Sequence, residues 1–554
     1  MSVTKSQIRP GAYFDSVVLM RLQRNLLALP GIEDAGVVMA TPANLELLAD
    51  SDLLNNEGRS ARPEDLLIVV RAAKDSAAVN ALEKVDELLK QRSSSASSAF
   101  RTRSLSAAAK TLPAAEWVLI SVPGHYAAKV AAEALDLGKH VFLYSDNVSL
   151  EDEKNLKKKA DDKNLLVMGP DCGTAIVNGI GLGFANRIRR GPIGLVAASG
   201  TGLQTVTAHI HNLGSGVSQA IGVGGRDLKT EVGAASMLQG LRYLAADGDT
   251  KVIVLVSKPP DSEVATQLLA AAHQVGKPVI ADFIGFAPPA AQIGNLHFAA
   301  GLDQAAKLAV DLASQAEPEK TIEARQSGYL RGLFSGGTLA YEVLNGLQLF
   351  INPIYSNVPI RPAQKLDNPL NSMAHTILDL GGDEFTVGRL HPMIDNDLRL
   401  RRMKQEAEDK EVGIILLDIV LGEGAHPSPA SELAPAIAAH RKGRKDLEFV
   451  ALVIGTDGDP QQLDTQIENF KEAGATVFRE VSAVVDYIAS RLEQSIDSGK
   501  LLTKFSEPMA AINVGLESFY DSLKAQGAQA VQVDWRPPAS GSEDLMSILE
   551  KMRR

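Results

Sequence analysis

The chain contains 554 residues, of which 45% are apolar and 22% are charged, and its formal net charge is −11. This composition is typical of a folded globular protein and argues against bulk disorder. The one dense basic run is 187–190, so a nucleic-acid partner is not expected. A chain of this length predicts about three or four domains.

Cysteine use and hydropathy narrow the class of protein further. Cys172 is the only cysteine, which excludes an intramolecular disulfide and any cysteine cage for a metal. Residues 1–12 lack the apolar core of a signal peptide, and the most apolar run, 413–421, is short and carries Asp418. We therefore expect a cytoplasmic protein without a membrane segment. The ten histidines include no pair with metal-ligand spacing on one helix face, so no metal site is expected.

The first 105 residues predict a small α+β domain followed by a linker. From residue 12 to about residue 92 the pattern is strand, helix, strand, short helix, strand, helix, with Ser16 as a candidate N-cap. The serine-rich stretch 93–98 is typical of an exposed linker. Residues 106–190 then predict a Rossmann-like domain of the CoA-binding type, because strands at 117–122, 141–144 and 165–168 alternate with helices.

Residues 191–320 and 321–500 repeat one order of elements, which predicts two tandem flavodoxin-like domains with parallel sheets in an α/β protein. The second copy carries roughly 20 extra residues around 349–372. The remaining residues, 501–554, form a C-terminal extension in which strands at 511–516 and 530–535 flank a helix.

The strongest local signal is a glycine-rich polar loop between a buried strand and a helix, present once in each repeat. Free backbone N–H groups and the positive end of the helix dipole meet there and attract anions, although Ser and Thr at such a junction are also ordinary N-caps. Two such loops at equivalent positions favour anion binding. The predicted phosphate-binding residues of these loops are Ser199, Gly200, Thr201, Gly202, Ser335, Gly336, Gly337 and Thr338.

A second turn follows the next strand of each repeat, at the carboxyl edge where open α/β sheets bind ligands. Gly224 and Gly225 form it in the first repeat, and Gly381 and Gly382 form it in the second. Arg226 either pairs with a carboxylate or phosphate of the substrate or forms a solvated salt bridge.

His391 is the main candidate for acid–base chemistry. It lies in a polar loop, 388–395, which follows the Gly-Gly-Asp turn closely enough to reach the same crevice, and loop packing is the competing interpretation. Asp379 and Asp383 are candidates to orient the ring, so His391, Asp383 and Arg226 are the predicted catalytic residues. Cys172 is expected to be a small buried residue rather than an exposed thiol.

Several motifs together resemble known families. The order Gly-Pro-Asp-Cys-Gly at 169–173, Ser-Gly-Thr at 199–201 and Gly-Val-Gly-Gly at 222–225 resembles the α subunit of succinyl-CoA synthetase over about residues 115–310. Residues of about 328–495 resemble the CoA-ligase domain that ends its β subunit. With further motifs at 13–16, 39–42 and 391–395, the chain is identified as a member of the FdrA family.

The synthetase resemblance implies two helix N-termini facing each other across a phosphoryl-transfer site with a phosphohistidine, for which His297 in 294–299 is the available residue. The glycine-rich loop expected ahead of the first Rossmann helix is missing, which argues against CoA binding. No ATP-grasp domain is present, so separately encoded subunits are the expected partners. Trp535, in an aromatic and arginine pair, lies either at such an interface or in the last core.

The FdrA resemblance implies one subunit of an oxamate carbamoyltransferase, which converts oxalurate and phosphate to oxamate and carbamoyl phosphate. Phosphate or carbamoyl phosphate would then be the ligand, with no certain cofactor. An NDP-forming acyl-CoA synthetase subunit and a non-catalytic anion-binding scaffold remain alternatives.

Overall fold

The structure, a computed structural model, describes residues 2–10, 12, 16–63, 65–90, 102–315, 326–492 and 501–536. The predicted linker at 93–98 and residues 13–15 of the family motif lie outside these ranges. The chain divides into two compact units, one formed by residues 1–159 and 506–554 and the other by residues 160–505. No helix within the described ranges is long and apolar enough to cross a membrane.

The N-terminal domain is a three-stranded antiparallel sheet with helices on both faces. Its elements are β1 (Val3–Arg9), α1 (Ser16–Leu27), β2 (Ile32–Met39), α2 (Pro42–Asp50), β3 (Leu66–Ala72), α3 (Asp75–Glu83) and α4 (Val85–Lys90). The strand order is β1-β3-β2, with the almost wholly buried β3 in the centre. The sequence analysis predicted that the first strand begins at residue 12. The structure instead places this strand at Val3–Arg9, before that residue. As a half-exposed edge strand, β1 has little apolar alternation to reveal it.

Strands and helices then alternate in the Rossmann-like region. Its elements are α5 (Leu105–Thr111), β4 (Trp117–Ile120), α6 (Gly124–Asp136), β5 (His140–Leu143), α7 (Leu150–Asp162) and β6 (Val167–Met168). All residues of β4 and β5 are buried, and the two strands pair in parallel. The parallel pairing follows from the helical crossover between them.

The first flavodoxin-like domain contains the strand and helix that carry the first predicted loop. Its elements are β7 (Thr174–Val177), β8 (Ile180–Gly183), β9 (Arg190–Ala197), α8 (Gly200–Asn212), β10 (Val217–Gly222), α9 (Ala235–Ala246), β11 (Val252–Ser257), α10 (Ser262–His273), β12 (Val279–Phe283), β13 (Gln292–Ile293), β14 (Leu296–Phe298) and α11 (Leu302–Ser314). The sheet order is β13-β14-β12-β11-β9-β10-β7-β8, in which β14 to β10 are parallel.

The second flavodoxin-like domain repeats this arrangement. Its elements are β15 (Tyr329–Phe334), α12 (Gly337–Leu347), β16 (Ile354–Ser356), β17 (His375–Asp379), α13 (Asp383–Thr386), α14 (Asp397–Glu408), β18 (Val412–Val420), α15 (Ala430–Gly443), β19 (Glu448–Ile454), α16 (Leu463–Glu472), β20 (Thr476–Phe478) and α17 (Val481–Arg491). Its six strands are all parallel, in the order β16-β17-β15-β18-β19-β20. The extra residues of this copy include the edge strand β16.

Both domains have the strand order 2-1-3-4-5, if the parallel strands are counted in chain order and the inserted β16 is left out. This is the flavodoxin-like order, and it confirms the predicted duplication. The order reverses between the first and third strands, which are β9 and β11 in one copy and β15 and β18 in the other. Ligands bind outside the carboxyl ends of strands at such a point.

The C-terminal segment adds β21 (Ala510–Val514), α18 (Glu517–Ala525) and β22 (Gln529–Val533). These strands confirm the two that the sequence predicted. They extend the Rossmann-like sheet in parallel, in the order β22-β21-β4-β5. Trp535 packs its ring edge against Tyr126, with the ring centroids 5.4 Å apart.

Candidate functional site

The first predicted loop forms the start of α8. Ser199 is the N-cap, and its Oγ accepts a hydrogen bond from the N–H of Gly202 at 3.1 Å. Gly202 is buried, and a methyl group there would lie 2.8 Å from that Oγ. Gly200 and Thr201 are exposed, and within the described ranges their N–H groups have no acceptor. Ser199 and Gly202 therefore build the helix end, while Gly200 and Thr201 present the donors.

The second predicted loop differs by one residue. The N-cap of α12 is Gly336, so Ser335 stands before the cap and is buried. Its N–H and Oγ both donate to Asp418, at 2.7 and 2.8 Å. Thr338 is exposed in the first turn, as Thr201 is in α8. The equivalent residues of the two copies are thus Thr201 and Thr338 rather than the two serines.

Carboxylates surround the N-terminus of α12. A methyl group on Gly337 would lie 2.7 Å from Oδ2 of Asp379, whose Oδ1 accepts the N–H of Gly381 at 2.9 Å. Burial raises the pKa of both Asp379 and Asp418, and Arg399 lies 3.2 Å from Asp418 as its buried counter-ion. Negative groups of the protein already occupy the space beside this helix end, which disfavours a further anion there.

Lys258 is a charged residue at the carboxyl end of the strand next to β9, which leads into α8. It follows β11, the third strand of the first copy, and the N–H of Ala198 donates to the carbonyl of Val256 at 2.9 Å across the adjoining strands. Its side chain is exposed and has no ion-pair partner in the part of the chain that the structure describes. The sequence analysis did not select Lys258 as a site residue. Its position directly after the third strand of the 2-1-3-4-5 order, where such sheets bind ligands, was a signal that could have identified it.

Two residues of the turn after β10, Gly224 and Asp227, have structural roles. Gly224 has a φ of 78°, and a side chain there would collide with the carbonyl of Pro170. The buried Asp227 accepts hydrogen bonds from the N–H groups of Ser236 and Met237 at 3.1 and 2.8 Å, and so caps α9. Gly225 and Arg226 lie exposed on the outside of the turn.

The structure brings His391 together with Asp379 and Gly381. A methyl group on Gly381 would lie 2.7 Å from Nε2 of His391 and 3.1 Å from Oδ1 of Asp379. Nδ1 of His391 accepts the N–H of Met393 at 3.2 Å, which assigns the proton of the neutral ring to Nε2. Asp383 is exposed at the start of α13, which Gly382 caps, and none of its recorded contacts reaches His391. Asp379 is therefore the acid beside the ring.

His391 is followed by Pro392, and a second His-Pro dipeptide, at 426–427, lies in the loop after β18 and contacts the loop of His391. His426 accepts the N–H of Ser428 at Nδ1 over 3.1 Å, the same local geometry as His391, and its own N–H donates to the carbonyl of Met393 at 2.8 Å. Its Nε2 lies 3.4 Å from a carboxylate oxygen of Glu432. The repeated His-Pro dipeptide was the sequence signal for this residue, which we also missed.

The two remaining candidates are His297 and Cys172. His297 is in β14, paired with Ile280 of β12 and with Gln292 of β13, so it lies within a strand rather than in a loop. Cys172 is buried, as the sequence predicted. Among the described residues, no group of three or more His, Cys, Asp or Glu side chains could hold a metal ion.

Two family models match the chain. Residues 1–105 match the model described as "AllF, heavy metal-associated domain", and residues 333–485 match the CoA-ligase model. Residues 1–105 contain neither Cys nor His, the side chains that most often bind transition-metal ions. The CoA-ligase match falls on the second flavodoxin-like domain.

Whole proteins and solved structures are also similar. The chain is 41% identical to YahF of Escherichia coli over 494 residues, which cover 86% of this chain and 95% of YahF. It is 28% identical to subunit alpha 2 of the ADP-forming succinate–CoA ligase of Archaeoglobus fulgidus, over 32% of this chain and 62% of that subunit. The apo structure of the dinucleotide-forming acetyl-coenzyme A synthetase 1 of Ca. Korarchaeum cryptofilum is 13% identical, with a TM-score of 0.29, over 68% of this chain and 82% of that one.

Proposed function

We propose that the chain, which belongs to the family of Escherichia coli YahF and is related to the succinate–CoA ligases, is a subunit of an enzyme of the acyl-CoA-ligase type. The enzyme forms or consumes an acyl phosphate. The phosphate group binds at the first turn of α8 together with Lys258, and we call this set of groups the α8 site.

The observation that carries the proposal is the open first turn of α8. The N–H groups of Gly200 and Thr201 and the hydroxyl of Thr201 are available donors, and the helix dipole adds partial positive charge. Lys258 follows β11 and the first turn of α8 follows β9, and the strand order reverses between these two strands. Phosphate suits this combination, since it carries negative charge and several acceptor oxygens.

The N-terminus of α12 is the weaker candidate, because Asp379 and Asp418 surround it. The groups there suit proton transfer better than phosphate binding. His391 lies beside Asp379, and its Nε2 carries the proton of the neutral ring, which a reacting group can take up. We assign this pair to the organic part of the substrate.

The residues between β4 and α6 do not fit a CoA-binding loop. Only Ser121, Val122 and Pro123 connect the two elements, and Gly124 is packed so closely that a side chain would collide with the carbonyl of Asp146. The connection between β4 and α6 is therefore not proposed as a CoA-binding site.

This misfit favours a second candidate function, phosphate-dependent carbamoyl transfer of the oxamate carbamoyltransferase type. Phosphate would attack the carbamoyl carbon of oxalurate, so that a C–O bond forms, the C–N bond breaks and the oxamate nitrogen takes a proton. His297 also favours this candidate over the ligase reaction, because a residue inside β14 is poorly placed to be phosphorylated.

Calorimetric titration of the full-length protein with phosphate tests the α8 site. We expect Lys258→Ala and Thr201→Val each to weaken binding by about three- to tenfold, since each removes one charged or hydroxyl contact. Thr338→Val is the matched control at α12 and should change the affinity less than twofold. Unchanged affinity in both α8 variants contradicts the proposal.

Turnover assays then separate the two reactions. CoA-dependent acyl phosphate consumption by the chain with its partner subunits supports the ligase reaction. Carbamoyl phosphate formation from oxalurate and phosphate without CoA supports the second candidate.

A further inference from the structure

Strand β12 carries a carboxylate at a position where its neighbours are apolar. Alternate residues of a strand share a face, and the face below α8 and α11 is formed by a core that includes Val254, Val256 and Ile280. Asp282 lies two residues after Ile280 and is paired directly with Val256, so its side chain belongs to the same face. A polar residue interrupts the stripe at the carboxyl end of the strand.

This carboxylate has no partner among the described residues. Asp282 is 1% exposed, and no donor in the part of the chain that the structure describes reaches its Oδ2. Burial raises its pKa to about 6, and no charged group contributes to that shift. Asp418 is the contrasting case in the second copy, because it is equally buried but receives hydrogen bonds from Ser335 and Arg399. An unpaired buried carboxylate costs stability, which makes Asp282 a candidate functional residue.

Asp282 lies next to the floor of the α8 site. Val256, its direct neighbour on β11, contacts the first turn of α8, since a methyl group on Gly202 would lie 3.1 Å from a Val256 methyl carbon. Lys258 follows Val256 by two residues, directly after the end of the same strand. The carboxylate is therefore one strand removed from the residue that supports the donors of Gly200 and Thr201.

We propose that Asp282 is a specificity-determining residue of the α8 site, and that it selects ligands bearing an N–H or O–H donor beside the anionic group. This inference rests on the proposed function. The helix end and Lys258 attract the anionic group, whereas a carboxylate repels it and accepts a hydrogen bond from a neutral donor. Contact requires the groups covering Asp282 to move when the ligand binds, and the hydrogen bond gained by the carboxylate favours that movement.

Carbamoyl phosphate and acetyl phosphate form a matched pair of probes, because they differ by an amide NH₂ in place of a methyl group. We expect the full-length protein to bind carbamoyl phosphate about tenfold more tightly in calorimetric titrations, as one charge-assisted hydrogen bond predicts. Asp282→Val should reduce this preference to less than twofold and leave acetyl phosphate affinity the same or higher. The valine continues the apolar stripe, so the variant should fold.

Ser257→Ala provides the control for a nearby buried change. The hydroxyl of Ser257 likewise has no hydrogen-bond partner within the described ranges, but Ser257 is adjacent to Val256 along β11 and therefore lies on the opposite face. Its variant should keep the wild-type preference. Equal wild-type affinity for the two probes, or a preference that survives in Asp282→Val, overturns the inference and leaves the phosphate site standing. Failure of both probes to bind the wild-type protein overturns the proposed function and the inference together.

Discussion

Asp282 and Asp418 lie in the cores of the two flavodoxin-like sheets, yet their surroundings predict opposite effects of substitution. The pKa of Asp282 is raised from an unfolded value near 3.8 to about 6, so the folded state holds the proton more tightly. The stability that this proton contributes is full below about pH 4 and is lost as the pH rises through 6. Ionised Asp282 therefore costs stability at pH 8, by an amount of the order of 2–3 kcal/mol.

Asp282→Asn should accordingly raise the thermal unfolding midpoint at pH 8, and the gain should shrink towards pH 5. Scanning calorimetry at the two pH values measures the difference. Asp418→Asn is the matched comparison and should lower the midpoint at both, because it leaves Arg399 buried without its counter-ion, at a cost of about 3–5 kcal/mol. A midpoint that falls at pH 8 in Asp282→Asn would mean that the carboxylate supports the fold.

At the scale of elements, the second domain is held by a buried ion network between β15 and α14. Glu406 receives hydrogen bonds from Arg331 at 2.7 Å and Arg402 at 2.6 Å, and all three side chains are almost fully buried. Ser372 also donates to Glu406, at 2.6 Å, which ties the chain before β17 to the helix. Removing one member of such a network leaves buried charges without compensation.

Glu406→Ala should therefore destabilise the second domain by about 3–5 kcal/mol. Urea unfolding followed by far-UV circular dichroism should show this as a lower midpoint. Glu408→Ala tests the same helix two residues later, where the side chain is exposed and lies 4.0 Å from Lys404. That control should leave the midpoint unchanged. Equal midpoints for the two variants would contradict a stabilising role for the network.

The elements that the sequence predicted well are those with strong local signals. Buried strands such as β9, β11 and β18 are rich in apolar residues, and their alternation with helices was enough to predict the duplication. The edge strand β1 was misplaced because half of it faces solvent. Parallel pairing of β21 with β4 joins residues almost 400 positions apart, as in Ala511 with Trp117, and no local pattern contains that information.

Within the candidate site, the sequence located the loops but not the roles of their residues. Ser199 and Ser335 read alike, yet one caps α8 and the other binds Asp418, because the second helix begins one residue later relative to its serine. The sequence could not identify Asp282 as a candidate site residue, because only the sheet register shows that its side chain shares a face with apolar residues.

At the scale of the whole molecule, the chain joins regions that are similar to parts of subunits. Its match to the succinate–CoA ligase subunit of Archaeoglobus fulgidus covers 62% of that subunit, and the CoA-ligase model matches a different region, 333–485. The protein is thus related to proteins that are named as subunits of succinate–CoA ligases.

We predict that the purified chain alone is inactive and that activity appears only when separately encoded subunits are added. In the proposed function the α8 site supplies donors for phosphate and His391 supplies a proton, but the described residues contain no cluster that could bind a metal to activate a nucleophile. Exposed apolar side chains of Val387, Leu390 and Ile394 flank His391 and suit a surface that a partner covers. Turnover of oxalurate with phosphate, and of acyl phosphate with CoA, should be measured for the chain alone and for the reconstituted complex. Leu390→Asp should weaken reconstitution, whereas Leu213→Asp, at an exposed leucine after α8, should not. Full activity of the isolated chain, verified free of other proteins by mass spectrometry, would show that the site is complete without partners.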